Sequence, residues 1–244
     1  MIMKKTFLKF GLILILCVTG CLWTASSVHA STVRVAPNTS NLVGYWSFDE
    51  GTTTKIKDLS GRGNDGEMSG FSAPASATSG WTTGRFGNGL NFDGVNDSID
   101  ITNDPNLYDF TSGDFAISFW IKKNGSTGDC VMSRILNGSG FVGWEVGLGN
   151  IVSGKIEFWN GVAWISSTGS VVDNKWHHVV FDQVGTSMLI YIDGVLDSTF
   201  AGRTNPTNSA QELKFGNRVT GTAATFFLGT LDEVRLYKAS LSAN

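Results

Sequence analysis

Beyond about Asn41 the apolar residues recur at every second position, in short runs broken by Gly, Asn, Asp and Ser. That period belongs to half-buried strands rather than to amphipathic helices. Over residues 115–121, Phe115, Ile117, Phe119 and Ile121 fall on one face and Ala116, Ser118 and Trp120 on the other, so one face of this strand is expected to be core. Asn160-Gly161 stands between the runs 155–159 and 162–165, and Asp193-Gly194 between 188–192 and 195–196. Both pairs accept the positive φ angles that two-residue hairpins need. Further strands are expected at 42–48, 88–92, 97–101, 129–135, 141–148, 176–183, 212–216 and 226–237, roughly a dozen in all. Residues 61–84, dominated by Gly, Ser, Ala, Thr and Asp, read as a long surface loop. The expected fold class is all-β, an antiparallel β-sandwich.

The first thirty residues stand apart. Lys4, Lys5 and Lys9 precede an apolar run over residues 10–23, shorter than a stable membrane span, so residues 1–30 read as a bacterial-type export signal and no transmembrane span is expected. Two processing routes stay open. Cleavage after Val28-His29-Ala30 would free a secreted chain at Ser31; alternatively, Val18-Thr19-Gly20-Cys21 is a lipobox, with the signal at 1–20 and lipidated Cys21 anchoring the chain at the cell surface. Residues 31–40 then form a short linker and 41–242 one domain, since no repeat or compositional shift divides it.

Loss of the signal removes three lysines and no acid from a chain of net charge −3 at pH 7. The acidic remainder argues against nucleic acid as a partner. Nothing in the sequence bears on oligomeric state. Of the three cysteines only Cys130 lies outside the signal, which leaves no intramolecular disulfide; Cys130 reads as a small buried hydrophobe on a strand.

Four segments, in order, carry a family resemblance: Leu42-Val43-Gly44-Tyr45-Trp46-Ser47-Phe48-Asp49-Glu50-Gly51 with the turn Asp58-Leu59-Ser60-Gly61-Arg62-Gly63-Asn64-Asp65-Gly66; Gly84-Arg85-Phe86-Gly87-Asn88-Gly89-Leu90-Asn91-Phe92-Asp93-Gly94-Val95-Asn96-Asp97; Lys175-Trp176-His177-His178-Val179-Val180-Phe181 leading to Tyr191-Ile192-Asp193-Gly194; and Gly229-Thr230-Leu231-Asp232-Glu233-Val234-Arg235-Leu236-Tyr237. Together they resemble the laminin G-like, concanavalin A-like domains of bacterial surface proteins and glycoside hydrolases. The resemblance implies a jelly roll of two stacked sheets, recognition of carbohydrate or a surface protein, and often one calcium ion. It implies no particular activity.

Calcium takes hard oxygen ligands. Asp49 after the first strand, Asn64 and Gly66 in the glycine-rich turn and Asp232 on the closing strand would supply them if the first and last strands are neighbours, as in the resembled family. Such an ion would be structural, clipping the chain ends together. His177 and His178 are adjacent, point to opposite faces of a strand and read as structural.

For catalysis, the acidic pairs Asp49-Glu50 and Asp232-Glu233 would point apart on their strands, no run places two carboxyls on alternate positions of one strand, and no Gly-x-Ser-x-Gly occurs. A non-catalytic binding module is therefore expected. The alternatives are a glycoside hydrolase or lyase assembled from distant segments and a passive structural or adhesion domain. For binding, Trp144, Trp159 and Trp164, with Asn160 among them, suit a sugar's apolar face and hydroxyls, and Asn96 at a loop tip is a further candidate.

Overall fold

The alternating runs form strands throughout. The structure is a computed structural model that describes residues 41–71, 80–101, 107–125, 128–136, 141–207, 209, 211–218 and 225–241. The expected export signal, linker and final residue of the domain lie outside the described residues. The strands are β1 (Leu42–Trp46), β2 (Lys55–Ile56), β3 (Gly66–Ser69), β4 (Gly80–Thr83), β5 (Asn88–Asp93), β6 (Ser98–Ile101), β7 (Phe115–Asn124), β8 (Asp129–Leu136), β9 (Val142–Leu148), β10 (Ile156–Trp159), β11 (Trp164–Ser166), β12 (Asp173–Val184), β13 (Ser187–Ile192), β14 (Val195–Phe200), β15 (Leu213–Phe215) and β16 (Leu228–Tyr237).

Two eight-stranded antiparallel sheets result. The first runs β14-β13-β12-β7-β16-β5-β4 with β1 added on β16, and the second runs β11-β10-β9-β8-β15-β6-β3-β2. Along one edge β16 pairs with β7; along the other, Leu228–Leu231 pair with β5 and residues 234–237 with β1. First and last strands are therefore neighbours. A bulge interrupts β16 between Asp232 and Arg235, where Glu233 takes φ 55°.

The inner faces meet in one apolar core. Phe115, Ile117, Phe119 and Ile121 of β7 are all buried in it, as their spacing predicts. They face Val131, Trp144, Val146 and Phe158 of the second sheet, and Phe158 packs on Phe181 of β12 across the sandwich, with ring centroids 5.6 Å apart. The outer face is only partly wet. Ala116 is buried beneath Leu42, Tyr237 and the half-buried Tyr45.

Two expectations need correcting. Residues 61–84 are not one loop: β3 and β4 fall inside that segment, and β2 just before it was not foreseen. They are short strands recruited by pairing with β6 and β5, so tertiary pairing outweighs their weak apolar pattern. Asp193-Gly194 does close a two-residue hairpin, both residues at positive φ and Ile192 paired with Val195. At Asn160-Gly161, by contrast, Trp159 pairs with Trp164, so the connection holds four residues rather than two.

Candidate functional site

Strand periodicity builds a groove on the second sheet. Val146, Leu148, Ile156 and Phe158 face the core, so the alternate residues Glu145, Gly147, Glu157 and Trp159 of β9 and β10 stand on the opposite face. Trp159 and Trp164 are directly paired, their rings 5.6 Å apart and inclined at 49°. Trp159 Nε1–H donates to the carbonyl of Phe141 (2.8 Å), whose exposed ring meets Trp159 edge-on at 6.5 Å. A Cβ on Gly147 would come within 3.0 Å of the Trp164 ring, so glycine there lets the indole lie against the strand. Together with Ile135, Glu145, Asn150 and Arg218, these aromatics line a cavity of about 240 Å³.

Its polar floor is an ion pair. Glu145 is fully buried and accepts two hydrogen bonds from Arg218, from Nε at 2.6 Å and Nη2 at 2.7 Å. Burial pushes the Glu145 carboxyl above its usual range and the guanidinium opposes that shift. Glu157 is buried as well and wholly engaged: it accepts from the N–H groups of Asn150 (2.8 Å), Ile151 (3.1 Å) and Val152 (2.8 Å) and from Ser166 Oγ (3.0 Å). It fastens the β9–β10 connection. Neither carboxyl is left for proton transfer.

The sequence candidates separate. Trp159 and Trp164 come together in the groove. Trp144 does not join them and is corrected to a core residue: it is fully buried, its ring packs near Phe110 and Phe158, and its Nε1–H donates to the Tyr108 carbonyl at 2.8 Å. Asn160 is corrected to a turn residue. Its Oδ1 accepts from Val162 (3.1 Å) and Ala163 (2.9 Å), and its amide donates to the Thr204 carbonyl (3.1 Å), which leaves the side chain buried and spent. Asn96 is exposed in the β5–β6 turn and does not line this cavity. Arg218 and Phe141 were missed. Arg218 is 73 residues from Glu145, so no local pattern announces the pair.

The four expected metal ligands fall into two groups. Asn64 donates from its backbone N (3.0 Å) and its side-chain amide (3.3 Å) to Asp58 Oδ2, and its carbonyl accepts from Trp46 Nε1 (3.0 Å). Gly66 packs against Ile99 and Ile101. Asp58 also accepts from Tyr45 N, Ser60 N and Ser60 Oγ, so a carboxylate rather than an ion organises this turn, and Asn64 and Gly66 are corrected to structural roles.

Asp49 and Asp232 do converge, on the β4–β5 turn. Asp49 Oδ1 accepts from Asn88 N (2.9 Å), and Asp232 Oδ2 accepts from Arg85 N (2.7 Å) and Phe86 N (2.9 Å). Gly87, at φ 63°, permits this closure, because a Cβ would lie 2.1 Å from Asp49 Oδ1. Asp232 Oδ1 is buried and has no hydrogen-bond partner among the described residues. Burial, reinforced by Glu233 and Asp49 against the opposing backbone N–H groups, pushes the Asp232 carboxyl up to about 7. An orphaned carboxylate oxygen beside a second carboxylate suits a hard cation. Among the described residues no three His, Cys, Asp or Glu side chains gather as a metal cluster.

The adjacent histidines point apart. His177 bridges Asp193 through Nδ1 (2.8 Å) and Asp173 through Nε2 (2.9 Å), and these carboxylates raise its pKa against the opposing effect of burial. His178 Nε2 meets Ser118 Oγ at 2.9 Å, and burial, with Arg235 nearby, lowers its pKa. Cys130 is buried, its thiol pushed well up by desolvation and by Glu145.

A two-sheet antiparallel sandwich of this topology is the architecture of jelly-roll domains. The chain belongs to the concanavalin A-like lectin/glucanases superfamily, whose Laminin_G_3 model matches residues 93–244. No curated protein matches. Among solved structures, the binding domain of Paraclostridial Mosquitocidal Protein 1 is similar at TM-score 0.60 and 18% identity, over 84% of this chain and 50% of that one. This chain thus spans half the length of that domain. Domain 4 of AbnA, a GH43 extracellular arabinanase from Geobacillus stearothermophilus in complex with arabinotriose, is similar at TM-score 0.56 and 18% identity, over 83% of this chain and 94% of that one. Trypanosoma rangeli sialidase is similar at TM-score 0.56 and 18% identity, over 83% of this chain and 31% of that one. At these identities the likeness is one of fold.

Proposed function

We propose that the chain is a non-catalytic binding module that takes carbohydrate on the outer face of the second sheet. The observation that carries this reading is the Trp159–Trp164 pair, partly exposed above a cavity whose floor is the Arg218–Glu145 pair. Indole faces accept the apolar faces of sugar rings, and a fixed guanidinium with the amide of Asn150 beside it serves hydroxyls. An arabinanase domain of the same fold is in complex with arabinotriose, a ligand of the same chemical kind. The enzyme alternative is weakened by the state of Glu145 and Glu157, since a glycosidase needs two carboxyls with free capacity.

Calcium is proposed as a structural ion held by Asp49 and Asp232 alone of the four residues first considered, where it would neutralise the orphaned oxygen and tie the β4–β5 turn to the closing strand. Export, with release after Ala30 or anchoring through Cys21, remains part of the proposal on the strength of the apolar run at residues 10–23.

Affinity electrophoresis through gels containing neutral polysaccharides, arabinan among them, tests the reading. Retardation by at least one polymer, lost in Trp159→Ala and in Trp164→Ala, is expected. Equal retardation of the variants, or none of the wild-type chain, overturns it.

A further inference from the structure

The first sheet carries a second cleft on its own outer face. Asn91 of β5 pairs with Thr230 of β16, and Thr230 pairs with Lys122 of β7. Their strand neighbours Leu90, Phe92, Ile121 and Leu231 are core residues, so this three-strand row points outward. With Asn124 and Asn174 it lines a cavity of about 400 Å³, on the sheet opposite the tryptophan groove.

The charges there are unevenly spent. Lys123 is buried, forms an ion pair with Asp129 and donates to the Leu228 carbonyl at 2.7 Å. Lys122, one residue earlier, lines the same cleft as Lys123 and forms no ion pair with a carboxylate among the described residues. Asp173, the acid that pairs across from Asn124, is already taken by Lys175 Nζ at 2.8 Å and His177 Nε2 at 2.9 Å. Asn174 is held at φ 63° between that acid and Lys175, and the side-chain amides of Asn124 and Asn174 form no hydrogen bond among the described residues. Thr230 Oγ1 donates to Asn91 Oδ1 at 3.1 Å, which fixes one wall.

An ammonium without an acid, flanked by amides with unused donors and acceptors, matches an anionic group carried on a polyhydroxylated ring. A single such cation on a chain of net charge −3 does not suit a nucleic acid backbone. We propose that this cleft binds a carboxylate-bearing sugar unit of an acidic polysaccharide, Lys122 taking the carboxylate and Asn124 and Asn174 the ring hydroxyls. The site is independent of the tryptophan groove and does not rest on the function proposed for it.

Isothermal titration of the full chain with an oligogalacturonate and with its methyl ester tests this. The acid is expected to bind and the ester to bind about tenfold more weakly, the loss of one charge-assisted contact. Raised salt should weaken the acid alone. Lys122→Gln should cost the acid about tenfold, and Asn124→Ala a smaller factor, with melting temperatures unchanged; Trp159→Ala should bind the acid as the wild type does. The proposal is overturned by equal binding of acid and ester, by undiminished binding in Lys122→Gln, by no binding at all, or by loss of binding in Trp159→Ala. Competition by acetate as strong as by the oligosaccharide would mean a bare anion site and would overturn it too.

Discussion

Trp144 and Trp159 stand on adjacent strands of one sheet, each with its indole N–H given to a backbone carbonyl at 2.8 Å, yet one is sealed in the core and the other walls an open groove. Register makes the difference. Trp159 pairs with Glu145 and not with Trp144, an offset of one residue that turns the two rings to opposite faces. Sequence proximity and residue type are the same in both cases, so only the pairing of β9 with β10 separates a structural tryptophan from one placed to meet a ligand.

Substitutions should widen that contrast. Trp144→Ala removes a fully buried indole from among Phe110 and Phe158 and should cost about 3–5 kcal/mol in urea unfolding. Next is Arg218→Ala, which strands the buried Glu145 carboxylate. A loss of about 3 kcal/mol at pH 8 is expected, shrinking towards pH 5 as the unpartnered carboxyl takes up a proton; equal losses at both pH values would remove the ion pair from the groove's support.

Asp232 gives an effect of about 2 kcal/mol, roughly half of what a carboxyl raised to about 7 would carry without screening by water. Its carboxyl, pushed up to about 7 in the folded chain, holds a proton that the unfolded chain releases near pH 4. Its contribution is therefore complete below about pH 4 and lost as pH rises through about 7, so in chelator the melting temperature should fall over that interval. His177, also raised, acts in the same direction, and comparison with Asp232→Asn isolates the carboxyl. Calcium should restore the melting temperature at pH 8 in the wild type and not in Asp232→Asn. Smallest of all, Trp159→Ala should change stability by less than about 1 kcal/mol while abolishing retardation by polysaccharide.

The legible parts of the molecule were local. Alternation in β7 marked its buried face correctly, and Asp193-Gly194 announced a hairpin because both residues tolerate positive φ. Trp159 and Trp164 could be read as neighbours of one turn, though their direct pairing across four residues departs from the two-residue hairpin expected there. The side taken by Trp144 could not, since the long connection from β9 to β10 is set by Glu157 gathering three backbone N–H groups. Asn160 misled for a related reason: the side chain that makes it a good turn residue is the one that would have served a sugar. β3 and β4 were hidden because their apolar content is low, Met68 and Trp81 being the one large apolar side chain of each. The Arg218–Glu145 pair and the row Asn91, Thr230 and Lys122 likewise join segments that nothing local connects.

The central claim is that the tryptophan pair on the second sheet meets the ligand while the buried tryptophan beside it does not. The chain has eight tryptophans, so their indole N–H signals in a proton–nitrogen correlation spectrum, assigned by single Trp→Phe variants, can be followed during titration with a retarding oligosaccharide. The signals of Trp159 and Trp164 are predicted to move in a saturable way while that of Trp144 stays in place. Binding that leaves Trp159 and Trp164 unmoved would contradict the account.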